Sequence, residues 1–159
     1  MFRRSCPVAR RKARELAFRT LFEADRGGTP VLDVWRQVRA ELAESGEEDE
    51  VDAAYGDTLD REGIEFAERL LTLFTENREE IDKRLEDSLT GWSFGQMNQS
   101  DLNVLRLAAT ELLYEEGVPP KVTLEMAVRI AKRFGGEESG KFVNGVLAAL
   151  YRSTGAREQ

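Results

Sequence analysis

Residues 135–141, GGEESGK, read G-x-x-x-x-G-K, the spacing with which a glycine-rich loop cradles phosphate and a lysine reaches it. The next position should carry a hydroxyl to hold magnesium, and here it is Phe142. Residues 126–134, which precede the pattern, have helical rather than strand periodicity. Glu137 and Glu138 would sit inside the cradle and repel the phosphates. These three departures exclude a nucleotide-hydrolysing site. The chain has no histidine, which removes Ser-His-Asp and Cys-His nucleophilic sites and the histidine-containing metal sets. Cys6 is its one cysteine, so no intrachain disulfide and no thiolate zinc cluster is expected, and no cofactor is called for. Among 30 acids no pair stands out as a general acid and base. The inventory fits a binding protein that is not an enzyme, in a reduced, cytoplasmic setting.

What the sequence does offer is asymmetric charge. Residues 1–14 hold Arg3, Arg4, Arg10, Arg11, Lys12 and Arg14 and no acid, leaving 17 of the 23 cations and all 30 acids in the remaining 145 residues. A basic arm on an acidic body of net charge −7 points to an anionic partner held at one place. The plainer reading is a loose basic tail. A second candidate is Phe142 with Lys141 beside it: an aromatic next to a cation at the rim of a helix can stack a nucleobase. Its plainer reading is an ordinary core residue.

Helices must position these residues. Spacing predicts a first helix over 8–26 with an apolar arc of Ala13, Leu16, Ala17, Leu21 and Ala24, ended by Gly27-Gly28 and Pro30. Its cations are spread around the cylinder, so two or three can face one strand together; Phe18 and Phe22 are expected against another helix. A second helix covers 31–44. Ten acids and one cation lie between Glu41 and Glu62, and the stretch near 44–60 reads as an exposed, solubilising acidic insertion. Helices follow over 61–77 and from Ile81 to Leu89. Ser100 is the expected N-cap of a central helix over 101–116, closed by Gly117. Pro119-Pro120 open another helix, which Gly135-Gly136 stop before the last. Seven helices and no convincing strand give an all-α fold, one domain over 1–159 with helical subdomains over 1–78 and 79–159. Six residues, 146–151, form an apolar run far short of the ~20 a membrane span requires.

Four blocks in order, RRKARELAFRTLF (10–22), DLNVLRLAATELLY (101–114), VPPKV (118–122) and KRFGGEESGKFVNGVL (132–147), resemble the NusB family of bacterial transcription antitermination factors. The resemblance spans nearly the whole chain apart from the acidic insertion. It implies two small perpendicular helical bundles without a sheet, and RNA binding without catalysis. The implied partners are the ribosomal protein that doubles as NusE, the single-stranded boxA element of nascent ribosomal RNA leaders, and RNA polymerase in the antitermination complex. By position, Arg10, Arg11, Lys12 and Arg14 match the family's arginine-rich motif, and Lys121, Ser139, Lys141, Phe142 and Asn144 match positions near the RNA path. Asp101 matches an acidic position that meets NusE. Gln96, Leu102 and the Glu125-Met126-Ala127 triplet depart from the family pattern and bear on partner contacts. Some relatives pair with themselves, so a homodimer stays open, as does a relation to the RNA-gripping domains of ribosomal RNA cytosine methyltransferases or a role as a protein-interaction adaptor.

Overall fold

In a computed structural model of the chain, residues 10–45, 51–52 and 57–154 are described. The helices are α1 (Arg11–Gly27), α2 (Val31–Ser45), α3 (Arg61–Glu76), α4 (Arg78–Ser88), α5 (Gln99–Tyr114), α6 (Pro120–Gly135) and α7 (Glu137–Thr154), with a 3-10 turn at Phe94–Gln96. Two short strands, β1 (Val51–Asp52) and β2 (Asp57–Thr58), pair antiparallel within the acidic connection. This two-residue ladder is an addition to the expected all-α plan. Leu59 is buried just after it, and Asp60 caps α3 by accepting from the Gly63 amide at 2.9 Å. The far end of the acidic stretch is therefore tied down rather than wholly exposed. Residues 46–50 and 53–56, and the arm over 1–9 with Arg3 and Arg4, lie outside the described residues.

The core is built around α5, in which every residue from Asp101 to Leu112 is buried. A helix apolar over most of its circumference must be covered on all sides, and α1, α3, α4, α6 and α7 all pack on it. Helices α1, α2 and α3 pack on one another, as do α6 and α7. Two boundaries differ from the sequence expectation. Asn98, not Ser100, is the N-cap of α5, its Oδ1 accepting from the Asp101 amide at 2.7 Å. Asn and Ser are near-equal caps, so composition alone could not choose between them. At the other end the C-cap is Glu115 rather than Gly117.

The glycines of the G-x-x-x-x-G-K pattern have a packing explanation. A Cβ on Gly135 would lie 2.8 Å from Ser139 Cβ, and one on Gly140 would lie 2.6 Å from Lys132 Cγ. Between them Gly136 takes φ +93°, open to glycine at no steric cost. The spacing thus serves the tight α6–α7 turn, and Gly140 lets the stem of Lys132 lie across α7.

Polar groups on α5 are buried in pairs. Arg14 of α1 is 2% exposed and grips Glu111 with Nε at 2.9 Å and Nη2 at 2.6 Å; Thr123 of α6 donates to the same carboxylate at 2.7 Å. The Arg14 guanidinium also lies 5.1 Å from the Phe66 ring centre. Arg106 makes the matching contact to Asp82 of α4 at 3.0 and 3.1 Å. Breaking a buried pair from one side strands the other charge. Arg14→Ala should therefore lower the unfolding free energy by about 3–5 kcal/mol, whereas Arg36→Ala, at an exposed pair with Asp33, should cost under ~1 kcal/mol. Equal effects in urea unfolding would contradict the distinction.

Candidate nucleic-acid interface

Helices α6 and α7 run back from the turn at Gly136, and α1 closes the space beside them to form an open groove of about 1340 Å³. Lys121, Glu125, Val128 and Lys132 fall within about 60° of one another at ~100° per residue, so one face of α6 makes a continuous wall. Pro119, Pro120, Leu124, Val128 and Tyr151 supply apolar surface. Six cations line the groove, Arg11, Lys121, Arg129, Lys132, Arg133 and Lys141, against three acids, Glu15, Glu125 and Glu137. On a chain of net charge −7 this is a local reversal of sign.

Two of the three acids are engaged. Glu15 takes Arg11 Nη1 at 2.8 Å and Arg133 Nη1 at 3.2 Å, linking α1 to the end of α6. Glu137 stands 3.9 Å from Lys132 Nζ.

The structure sorts the sequence candidates. Arg11, Lys121, Lys141 and Asn144 line the groove together. Lys12 is half-buried on the first turn of α1. Arg10 precedes α1 and bonds Glu62 at 2.9 Å and Asp60 at 3.5 Å, which commits its guanidinium to the start of α3. Arg14 faces the core and presents no surface to a ligand. Ser139 is buried behind the α6–α7 turn, against Gly135. Phe142 is half-buried on α7, its ring 5.2 Å from that of Trp92, which is 51% exposed. Asp101 is buried in the first turn of α5, and its Oδ1 accepts no hydrogen bond from the described residues. Phe18 is buried as expected; Phe22 is half-buried with Arg26 5.7 Å from its ring centre.

Sequence reading missed Arg129, Lys132 and Arg133 on the α6 wall and Trp92 beside Phe142. Lys132 was detectable by projecting the helix from Lys121, about 20° away, whereas Arg129 and Arg133 fall about 80° and 120° round the helix. Trp92 sits in a loop 50 residues from Phe142 in sequence, and nothing local signals that pairing.

The comparisons with known proteins agree on one family. The NusB family model matches residues 11–152. The chain belongs to the NusB family. It is 48% identical over 149 residues to the transcription antitermination protein NusB of Thermus thermophilus, covering 94% of each chain. To that of Deinococcus deserti it is 49% identical over 144 residues, covering 91% of this chain and 81% of the relative. Among solved structures, NusB of T. maritima superposes with a TM-score of 0.73 at 33% identity, covering 94% and 93% of the two chains. A chain from a crystal structure of antitermination factors NusB and NusE in complex with dsRNA gives 0.76 at 27% identity, covering 93% and 99%. No helix among the described residues is long and apolar enough to cross a membrane.

The two tryptophans of this NusB-family chain report its geometry directly. Trp35 is 4% exposed and donates to Glu68 at 3.0 Å, whereas Trp92 is open to solvent. Acrylamide should quench one emission component strongly, and Trp92→Phe should remove it. Uniformly shielded emission from the unaltered chain would contradict the exposed aromatic rim.

Proposed function

We propose that this chain is a non-catalytic transcription antitermination factor that holds single-stranded, boxA-like RNA along the α6–α7 groove and works with NusE at RNA polymerase in the cytoplasm. The observation that carries the reading is the groove itself, in which Arg11, Lys121, Lys141 and Asn144 meet the α6 cations around an apolar floor. Cations at the walls neutralise phosphates and supply sequence-independent affinity. An apolar floor with an aromatic at its edge suits unpaired bases, which a duplex would keep stacked inside. Trp92 and Phe142 form a second aromatic surface beside Lys141. A solved complex of NusB and NusE with dsRNA supports NusE and RNA as partners, while the preference for a single strand rests on the apolar floor of the groove.

The arginine-rich start of α1 takes a divided role in this reading. Arg11 and Lys12 belong to the RNA face, Arg14 holds α1 on α5 and α6, and Arg10 reaches RNA only by leaving Asp60 and Glu62. Asp101 is the NusE contact: a buried carboxylate oxygen with no donor from the described residues is completed by a cation or N–H of a partner.

Fluorescence titration with a short boxA-like RNA across salt concentrations, with and without NusE, tests the proposal. Binding should tighten when NusE is added, and Lys121→Gln with Lys141→Gln should flatten the log–log salt slope by roughly 1.4, at ~0.7 per phosphate contact on single strands. A slope untouched by both substitutions would show that the strand runs elsewhere. Glu138 is 93% exposed at its side chain, 4.0 Å from Lys141 Nζ, and its charge opposes a polyanion. Glu138→Asn should therefore tighten RNA binding, and equal or weaker affinity would count against Lys141 as a contact.

A further inference from the structure

Among the described residues two large apolar side chains are exposed, Trp92 and Phe134, the latter 36% exposed in the last turn of α6. Phe134 is seated on the core by one face: its ring lies 5.0 Å from that of Phe18, which is itself 3% exposed. The guanidinium carbons of Arg19 and Arg133 lie over the ring, 5.8 and 5.5 Å from its centre, so a stacking base would move them aside towards its phosphates. Arg133 also lines the groove, where it bonds Glu15. The exposed ring is thus physically continuous with the cationic groove, at the end where α1 closes it. Glu15 and Glu23, four residues either side of Arg19 on α1, and Glu137, three residues past Phe134, are the acids nearest in sequence to this patch.

We infer that Phe134 is a stacking station for a nucleobase of the RNA where the strand leaves the groove, with Arg19 and Arg133 placed for the flanking phosphates. The inference rests on the RNA-binding reading of the groove. Its physical basis is threefold. An aromatic face held by a buried neighbour is pre-formed, so stacking a base on it orders little that was free before. Arginine beside an aromatic serves both the π-face of a base and its phosphate. Every base has such a face, so the station adds affinity without demanding a particular sequence. A second copy of the chain is the poorer occupant. A two-fold contact through this ring would turn Arg19 and Arg133 of each copy towards their equivalents, and one ring falls far short of the roughly 800 Å² a stable partner covers on each side.

The test compares the unaltered chain with Phe134→Leu, Phe134→Tyr and Arg19→Gln, each titrated with an unstructured RNA of roughly 12 nucleotides, inside the ~4–16-nucleotide range of single-strand grooves. Phe134→Leu keeps an apolar contact to Phe18 and loses the π-face. It should weaken binding by about fivefold to a hundredfold and leave the salt slope unchanged, because no cation is removed. Phe134→Tyr should restore affinity, and Arg19→Gln should lower the slope by roughly 0.7. Thermal melts of the variants check that the Phe18 contact survives. If the unaltered chain binds no RNA, the reading of the groove fails. If it binds and Phe134→Leu binds equally well at every salt concentration, the stacking station alone is overturned. Sedimentation showing a dimer that Phe134→Leu dissolves, with RNA affinity unmoved, would assign the ring to self-association and overturn it too.

Discussion

The carboxylate of Glu111 holds the molecule together at the place that matters for its surface. It lies on the buried stretch of helix α5, takes both Nε and Nη2 of Arg14 from α1, and accepts the hydroxyl of Thr123 from α6. A charge so deep in an apolar core is tolerated only when its oxygens are fully used. The constraint runs outward: with α1 and α6 both fixed to one side chain of α5, Arg11 and Glu15 are brought beside Arg133 at the rim. The groove follows from that triangulation. Five of its six cations are surface residues and Arg11 is buried against Glu15, but their relative placement is set by the Arg14–Glu111 pair in the core.

That division of labour explains why charge alone was a poor guide to role. Arg10, Arg11, Lys12 and Arg14 read alike in the sequence, a run of cations at the start of a helix. The helix turns each to a different neighbour: Arg10 to Asp60 and Glu62, Arg11 to Glu15, Arg14 to Glu111. The partner that assigns Arg14 to the core is 97 positions away, beyond any local pattern. By contrast the burial of α5 was legible, because Leu102, Leu105, Ala109 and Leu112 with Val104, Leu107 and Ala108 leave almost no polar face. The helix count and the stop at Gly135-Gly136 were legible for the same local reasons, periodicity and glycine conformation.

The site was half-legible. Lys121, Lys141 and Asn144 share a groove, and the family resemblance singled them out. Lys132 needed only the helical projection of α6, while Arg129, about 80° round the helix from Lys121, did not follow from it. Trp92 with Phe142, and Phe134 with Phe18, depend on packing between distant segments and had no sequence signal. The G-x-x-x-x-G-K pattern illustrates the reverse error that motif reading invites. Its glycines are explained by the side chains of Ser139 and Lys132 that crowd the α6–α7 turn, so the same spacing that elsewhere cradles phosphate here closes a helical hairpin.

The central claim is that RNA lies between α6 and α7. Backbone amide shifts recorded while a boxA-like RNA is titrated into the isotope-labelled chain test it most directly. The account predicts that perturbations centre on residues 121–133 and 140–144, with the indole signal of Trp92 moving and that of Trp35 staying still. Shifts confined to α2 and α3, with α6 and α7 undisturbed at saturating RNA, would contradict it.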